Sequence, residues 1–461
     1  MRAFAYDWPK IVEIILENKF MDLKAVNVRS SNTEDAARCE ALIRKKMTAD
    51  PNFSEKTGIN EKNIKFLSGL MPSYCAEHPQ DLCPTGKVLA PDGSTTSKQL
   101  EKAVRSFGDK SEIRMGTQVV DLVFENGRVI GAVIMDVKTK ETKKVRARNG
   151  VIFGTGGYSH NDEMKKKYMG AKFVPYGTCS SNTNTGDLCT IAQKYNISLS
   201  GMNQAWFKQV VLPFSMRRFP GAFFLQGDSF IVVDKFGKRY ACEKDFYQQR
   251  GMQMYQNPDR QVVFFVFDKR SRELYPGPIK GLGGPIPGDG VDKDCMVEGS
   301  NEEELTKGIK DLLAKVAPDF TLDSNFTSTL QAQIGRFNEY AREGKDPEFG
   351  RGDDTAQYCW HILRAKDNKF KNKTMYPIDQ KNLRCILLGL STLDTKGGPR
   401  INADGQILGR ASDPVEGLYG AGNCVRSSTH FSYPASGATL SNAVLFGFKA
   451  GLHAMKPKNK L

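Results

Sequence analysis

The sequence contains no GxGxxG turn and no CxxC pair anywhere in its 461 residues. The first absence removes the usual dinucleotide-binding fingerprint, in which a tight glycine turn delivers a pyrophosphate to a helix N-terminus. The second, with ten cysteines all occurring singly and only five scattered histidines, excludes zinc spacing and a disulfide framework. Free thiols predict a reducing compartment. No run of apolar residues reaches membrane-spanning length, and MRAFAYDWPKIVEIILENKF has no apolar leader core, so no integral membrane segment is expected. The expected location is cytoplasmic. Clustered charge is missing too. The net charge of +14 is spread along the chain, with short clusters such as Lys165-Lys166-Lys167, and lacks the interleaved aromatics of a nucleic-acid groove. No nucleic-acid partner is expected. No internal repeat and no low-complexity tract is present.

What is present is glycine, 43 residues of it, which suits an α/β protein with many strand-to-helix turns. The chain is long enough for two domains. Ile11 to Leu16 and Thr33 to Met47 read as helices, the second with acidic residues early and basic residues late. Pro72, Tyr74, Pro79 and Pro84 mark an irregular stretch. Ser97 to Phe107 reads as a helix. From Arg114 the pattern alternates, Asn126-Gly127 is a strong hairpin signal, and Arg128 to Val137 and Lys143 to Ala147 read as the next strands. Gly150 to Phe153 is continuously apolar, which predicts a parallel strand covered on both faces. It ends in Gly154-Thr155-Gly156-Gly157, where a ligand or another backbone can approach closely. Asn184-Thr185-Gly186-Asp187 then opens a helix, with Asn or Thr as the natural N-cap.

Composition changes near residue 209. Ser229 to Val233 and Gln261 to Phe267 read as strands, Lys244 to Tyr255 as a segment containing Tyr247, and Glu302 to Val316 and Ser328 to Ala341 as helices. Residues 209–390 read as an inserted domain. The last informative run, Glu416 to Gly451, begins with a strand ending in Gly422-Asn423. A loop with Arg426, His430 and Tyr433 follows, and then a helix opening at Gly437. A helix whose first amides are bare accepts an anion.

Five segments occur in an order that resembles the fumarate reductase / 3-ketosteroid dehydrogenase flavoprotein superfamily: RVRARNGVIFGTGGYSHN, NTGD, FIVVDKFGKRYACE, GRFNEYAREGKDPEFGRG, and LDTKGGPRINADGQILG followed by GLYGAGN. The resemblance spans about residues 97 to 451. It implies a glutathione-reductase-like α/β FAD-binding domain, incomplete at its N-terminus, with an inserted α+β catalytic domain. The implied division is 1–95, 96–208, 209–390 and 391–461, the second and fourth segments forming the FAD domain. The family begins with a βαβ unit carrying GxGxxG. Its absence leaves three readings open: a truncated chain, a unit supplied from elsewhere, or a scaffold that no longer holds FAD and is non-catalytic.

The residues that match the family's motifs imply FAD contacts from Val119, Thr155, Gly156, Gly157, Asp187, Gly422, Asn423, Ala438, Thr439 and Leu440, and no metal. The fumarate reductases carry arginines for a dicarboxylate, four residues after a glutamate and again before the last helix. Here Glu243 plus four is Tyr247, and the second position is Tyr433. Tyrosines cannot neutralise two carboxylates, whereas they can hydrogen-bond a ketone. This resembles the ketosteroid dehydrogenase branch, which implies a ketone or enone substrate, a steroid among the candidates, with an unassigned electron acceptor. Tyr433 and the Gly437 amide are then the expected oxyanion site. Tyr247 is the expected proton carrier, aided by Tyr74; its pKa must fall from near 10 to act as a base near neutrality. The alternative is a reductase of a small unsaturated acid, fumarate- or urocanate-like, in which Arg426 reaches the substrate. A tyrosine in an apolar pattern is more often plain core, and Asp187 has an equally simple reading at a helix start.

Overall fold

The computed structural model describes residues 7, 10–11, 14–15, 17–18, 44, 47–49, 51–52, 93–170, 176–212, 225, 227–274, 295–353, 357, 367–433 and 438–456. It divides into two compact units. The first comprises Met1–Met169, Ser181–Ala205 and Asp394–Leu461; the second comprises Gly170–Ser180 and Trp206–Leu393.

In the first unit, α1 (Gly93–Arg105) leads to an antiparallel sheet of β1 (Thr117–Glu125), β2 (Arg128–Asp136) and β3 (Thr142–Arg146). Asn126 and Gly127 both have positive φ, 48° and 78°, the backbone that a two-residue hairpin turn requires. Then come β4 (Val151–Phe153), α2 (Asp162–Met169), α3 (Asp187–Lys194) and the short β5 (Leu199–Ser200).

The second unit holds a five-stranded sheet. Its strands are β6 (Ala205–Val211), β7 (Phe230–Val233), β8 (Val262–Asp268), β9 (Met296–Gly299) and β10 (Leu383–Thr395), in the order β6-β10-β8-β7 with β9 also on β10. Between them lie α4 (Tyr247–Tyr255), α5 (Lys269–Leu274), α6 (Glu302–Val316) and α7 (Phe326–Glu343). All seven residues of β8 are buried, which explains its uninterrupted VVFFVF sequence. Phe264 meets Phe326 of α7 edge to face at 5.4 Å, and Ile309, Leu313, Leu330, Ile334 and Phe337 complete that core. Each such buried side chain contributes about 1.5–3 kcal/mol.

Asp394, near the end of β10, returns the chain to the first unit. There β11 (Gly398–Pro399) pairs β5, and β12 (Gln406–Leu408) and β13 (Pro414–Gly420) precede α8 (Ala438–Met455). Leu418, Tyr419 and Gly420 lie parallel to Val151, Ile152 and Phe153. Lys449 of α8 pairs with Asp7 at 2.6 Å. Ile11 and Ile15, both in helical backbone, pack with Ala421, Leu445 and Phe446.

Three expectations change. β4 is parallel but not covered on both faces: Phe153 is 2% exposed while Ile152 is 42% exposed. The N-cap of α3 is Gly186, in left-handed backbone at φ 84°; Asn184 and Thr185 do not cap it, because the Asn184 amide is committed elsewhere. Within the segment Lys244 to Tyr255, α4 begins at Tyr247, after a turn closed by Asp245 N–H on the Cys242 carbonyl. α1 starts at Gly93, four residues before Ser97. Of the Thr33–Met47 helix, Arg44 and Met47 are described, and both are helical.

Candidate functional site

The glycine turn after β4, the loop before α3 and the turn after β13 meet on one carboxylate. Asp394 Oδ2 accepts from the Gly157 N–H at 2.9 Å, from Asn184 Nδ2 at 2.7 Å and from Asn423 Nδ2 at 3.0 Å. Its Oδ1 accepts from Ser159 Oγ at 2.9 Å and from the Thr395 N–H at 2.8 Å. Five donors surround a side chain that is 1% exposed. Burial still raises its pKa above the usual carboxylate value, against the lowering effect of these bonds. Thr395 adds a second clasp, its hydroxyl accepting from the Tyr158 N–H at 2.9 Å.

The glycines in these turns are there for space. A Cβ on Gly157 would stand 2.2 Å from Thr395 Oγ1 and 2.5 Å from Asp394 Oδ1, and one on Gly156 (φ 73°) 2.5 Å from the Asn184 side chain. At Gly154 a Cβ would meet nothing within 4 Å, so that side of the turn is open. Thr155 Oγ1 is buried with no hydrogen-bond partner other than the Cys424 sulfur beside it. Gly422 (φ 75°) lets α8 come close, a Cβ there standing 3.2 Å from that of Ala443.

The other expected cofactor residues lie in the same unit. Asp187 is the first residue of α3, and its carboxylate accepts from Gln118 Nε2 of β1 at 3.1 Å and from Thr185 Oγ1 at 2.8 Å. Val119, next to Gln118, is half-buried where the β1–β2 register shifts. Ala438, Thr439 and Leu440 form the first turn of α8, where main-chain N–H groups have no acceptor within the helix. Ala438 is buried and Leu440 is 57% exposed. An open glycine backbone, a threonine hydroxyl with only a thiol beside it and the first turn of a helix suit a large cofactor that presents hydrogen-bond acceptors and negative charge.

The loop that carries Tyr433 is held by Lys396. Lys396 Nζ donates to the Ser432 carbonyl at 2.7 Å, and the Lys396 carbonyl accepts from the Ser427 N–H at 2.9 Å. The side chain is fully buried, and burial pulls its pKa down to about 7. In the same loop Arg426 Nη2 meets His430 Nδ1 at 2.8 Å. Tyr433 is half-buried. Gly437 and Tyr74 lie outside the described residues.

In the second unit, Tyr247 opens α4 and is 4% exposed. Lys208 Nζ sits 3.9 Å from the centre of its ring. Glu243, the reference residue four positions earlier, is locked in a buried network. Arg239 donates to Glu243 Oε1 and Oε2 at 2.7 and 2.8 Å and to Asp346 Oδ2 at 2.7 Å. Arg351 reaches Glu243 Oε2 at 3.4 Å. Burial alone would raise the Glu243 pKa, but the Arg239 charge and hydrogen bonds outweigh it and hold the group at about 2.

Sequence reasoning missed Asp394 and Lys396 as individual residues, although both stand in the LDTKGG segment that carried part of the resemblance. It also missed Arg239 and Asp346, which stand in the FIVVDKFGKRYACE and GRFNEYAREGKDPEFGRG segments, and Lys208, which stands outside all five segments. Among the described residues, no group of His, Cys, Asp and Glu side chains is placed to hold a metal, and no helix is long and apolar enough to cross a membrane.

Comparison with known proteins assigns the class. Residues 23–440 match the FAD binding domain family, and the chain belongs to that family; its cofactor is FAD. It is 29% identical over 387 residues to a 3-oxosteroid 1-dehydrogenase of Mycobacterium tuberculosis, covering 80% of this chain and 64% of that one. It is 27% identical over 338 residues to a 4-oxocyclohexanecarboxylate 2-dehydrogenase of Sinomonas cyclohexanicum, covering 71% and 54%. Among solved structures it is similar to the 3-ketosteroid Δ1-dehydrogenase of Sterolibacterium denitrificans in complex with 1,4-androstadiene-3,17-dione, at a TM-score of 0.68 and 25% identity over 78% of this chain and 63% of that one. The fold is therefore that of the fumarate reductase / ketosteroid dehydrogenase flavoproteins. The chain spans less than two-thirds of the length of these relatives.

Proposed function

We propose that the protein is an FAD-dependent oxidoreductase acting on a CH–CH bond beside a ketone, with a 3-ketosteroid or a similar neutral cyclic ketone as substrate. The observation that carries this reading is the residue type at two positions. Tyrosine stands at 247 and 433, where a dicarboxylate enzyme of this fold needs arginine. A phenol donates one hydrogen bond and carries no charge near neutrality, which suits a carbonyl oxygen and fails to balance a carboxylate. The relatives that act on 3-oxosteroids and on a 4-oxo ring acid support a ketone.

When bound, FAD supplies the hydride acceptor. The protein's own part is to hold the ketone and move a proton. The Tyr433 hydroxyl and the Gly437 N–H hydrogen-bond the carbonyl oxygen and stabilise the negative charge that grows there as the neighbouring C–H acidifies. Tyr247 Oη takes that proton. Thr155, Gly156, Gly157, Asn423 and the first amides of α8 would hold the cofactor, with Asp394 keeping the first two of those segments in register. Lys396 fixes the carbonyl next to Tyr433 and so limits where that phenol can point.

The test is titration of the purified full chain with FAD, followed by anaerobic addition of a 3-ketosteroid. Flavin binding followed by loss of the oxidised flavin band supports the reading. A chain that binds FAD and is not bleached by any ketone would sink it. A second reading, reduction of a small unsaturated acid, is favoured by one observation: Arg426 Nε is buried without a hydrogen-bond partner among the described residues. Under that reading Arg426→Ala abolishes turnover of an unsaturated acid and Tyr247→Phe does little.

A further inference from the structure

The first unit contains a cavity of about 650 Å³ that the proposed reaction does not use. It lies between the start of β2, the end of β3, the connection from β3 to β4 and the last turn of α8. Arg128, Arg146, Arg148 and Lys456 line it, and Ile130 and Met455 add apolar surface. Its walls are tightly held. The Ala147 N–H donates to the Ile130 carbonyl at 2.7 Å, which ties the connection to β2. A Cβ on Gly150 would stand 2.8 Å from the Gly417 carbonyl oxygen, and one on Gly417 (φ 77°) 2.3 Å from that of Val129. β13 therefore presses on both β2 and the connection, and the backbone that carries Arg148 is fixed against it.

This place is separate from the expected cofactor contacts. β4 and β13 run parallel, and each leads into its glycine turn at its C-terminal end. Arg148 precedes β4, and Glu416 stands near the start of β13, so the cavity is at the amino ends of the same two strands. The meander gives the same separation. On β1, Val119 lies six residues before Glu125, the register partner of Arg128, which is roughly 20 Å along the strand.

We propose that this cavity binds a soluble ligand with two or more linked phosphates, a nucleoside polyphosphate being of the size that fills it. Charge is the first reason. Arg128 Nη1 donates to Glu416 Oε1 at 2.7 Å. Among the described residues, no carboxylate pairs with Arg146, Arg148 or Lys456. The C-terminal end of α8 opposes an anion with about half a negative charge, which still leaves the lining about two and a half positive charges in excess. An excess of that size calls for a ligand with more than one negative charge. Three of the four cations are guanidiniums, whose planar forks match the oxygens of phosphate. Shape is the second reason. The volume falls within the range of about 300–1,000 Å³ typical of small-molecule sites, whereas a membrane or a flat acidic protein face would leave the concavity empty. Met455 is 65% exposed, an apolar surface that the nucleoside part would cover.

The experiment is calorimetric titration of the full chain with ATP, in saturating FAD so that the cofactor site is filled, at about 0.15 M salt. The variants are Arg146→Ser, Arg148→Ser and the two together. Both arginines are exposed, so the substitutions leave the fold intact. The control is Lys138→Ser with Lys140→Ser, which removes the same charge from exposed residues beyond the far end of β2. The wild type is expected to bind one ATP with a Kd below about 1 mM. Each single variant weakens binding about tenfold and the double variant about a hundredfold, the scale of charge-assisted hydrogen bonds. The control stays within about twofold, because charges that far away are screened. A wild type that takes up no ATP overturns the inference. So does a control that loses as much affinity as the double variant, or adenosine binding as tightly as ATP. Phosphatidate vesicles separate the two sources of phosphate: a chain that sediments with them through Arg148 and ignores ATP overturns the soluble ligand in favour of a lipid surface. The readout is ATP binding rather than turnover, so the ketone reading and this one fail independently.

Discussion

The Gly157 N–H and the Asp394 carboxylate are 237 residues apart in the chain and 2.9 Å apart in space. That bond, with its neighbours from Asn184 and Asn423, makes one buried carboxylate the common support of three turns that carry the expected FAD contacts.

Asp394→Asn replaces an acceptor-only group by one that also presents donors, so at least one of the five inward-pointing donors loses its partner. Hydrogen bonds to a charged acceptor contribute about 1.5–3 kcal/mol each. The expected result is a urea midpoint lowered by the equivalent of about 2–4 kcal/mol and FAD affinity weakened about tenfold or more. Denaturant titration and flavin fluorescence quenching read the two effects separately.

The glycine turn separates packing from cofactor approach. Gly157→Ala drives a methyl into Thr395 and Asp394 and is expected to cost about 1–3 kcal/mol of stability. Gly154→Ala meets nothing in the protein, so the melting temperature of the cofactor-free chain stays within about 2 °C. If FAD approaches that backbone, the same methyl weakens FAD binding. A Gly154→Ala protein that binds FAD as the wild type does would show that the open side of the turn faces solvent alone.

Tyr433→Phe and Tyr247→Phe are each expected to slow ketone-driven flavin reduction by about a hundredfold or more, the scale of one oxyanion donor or one general base. Stopped-flow absorbance of the oxidised flavin checks this. Arg426→Ala is expected to leave the rate within about threefold, since a neutral ketone gives a guanidinium no charge to bind.

Lys396 makes stability rise with pH. Its folded pKa, about 7, is depressed from the ordinary lysine value of 10.5, so between those values the unfolded chain binds more protons than the folded one. The unfavourable contribution is largest below about pH 7 and relaxes as pH rises toward 10.5. From pH 7 to 9 the gain is about 2 kcal/mol. Lys396→Met is expected to lose this dependence, which urea midpoints at the two pH values measure. Glu243 behaves in the opposite sense. Held at about 2 against an ordinary glutamate value of 4.5, it contributes stability that is fully present above about pH 4.5 and lost as pH falls toward 2. Glu243→Gln should cost about 3–5 kcal/mol at neutral pH, because Arg239 keeps its buried charge.

Much of the fold could be read from local pattern. Asn126-Gly127 gave the hairpin because both residues tolerate positive φ, and the apolar runs at 150–153 and 418–421 read as strands, although their pairing with each other appears only in the structure. Helix boundaries were less legible. Gly186 caps α3 because Asn184, the better capping residue by type, is drawn to Asp394, a contact that no local window contains. Ile152 was read as covered because apolarity does not report which face of a strand has a neighbour. Asp394 itself carries no local signature. A lone aspartate before Thr-Lys-Gly-Gly shows its purpose only when three distant turns arrive around it. Lys208 and Arg250 were invisible for the same reason: each is an ordinary surface residue by type, and only the tertiary structure shows them buried.

The clasp on Asp394 also sets a schedule for synthesis. A ribosome adds about 5–20 residues per second, so the glycine turn at Gly157 emerges on the order of 10–50 seconds before its carboxylate does. Throughout that interval the Gly157 amide and the Asn184 side chain have no Asp394 to bind, while Trp206–Leu393 is completed first. A translational pause after Leu393 would lengthen that wait without altering a single residue of the finished protein.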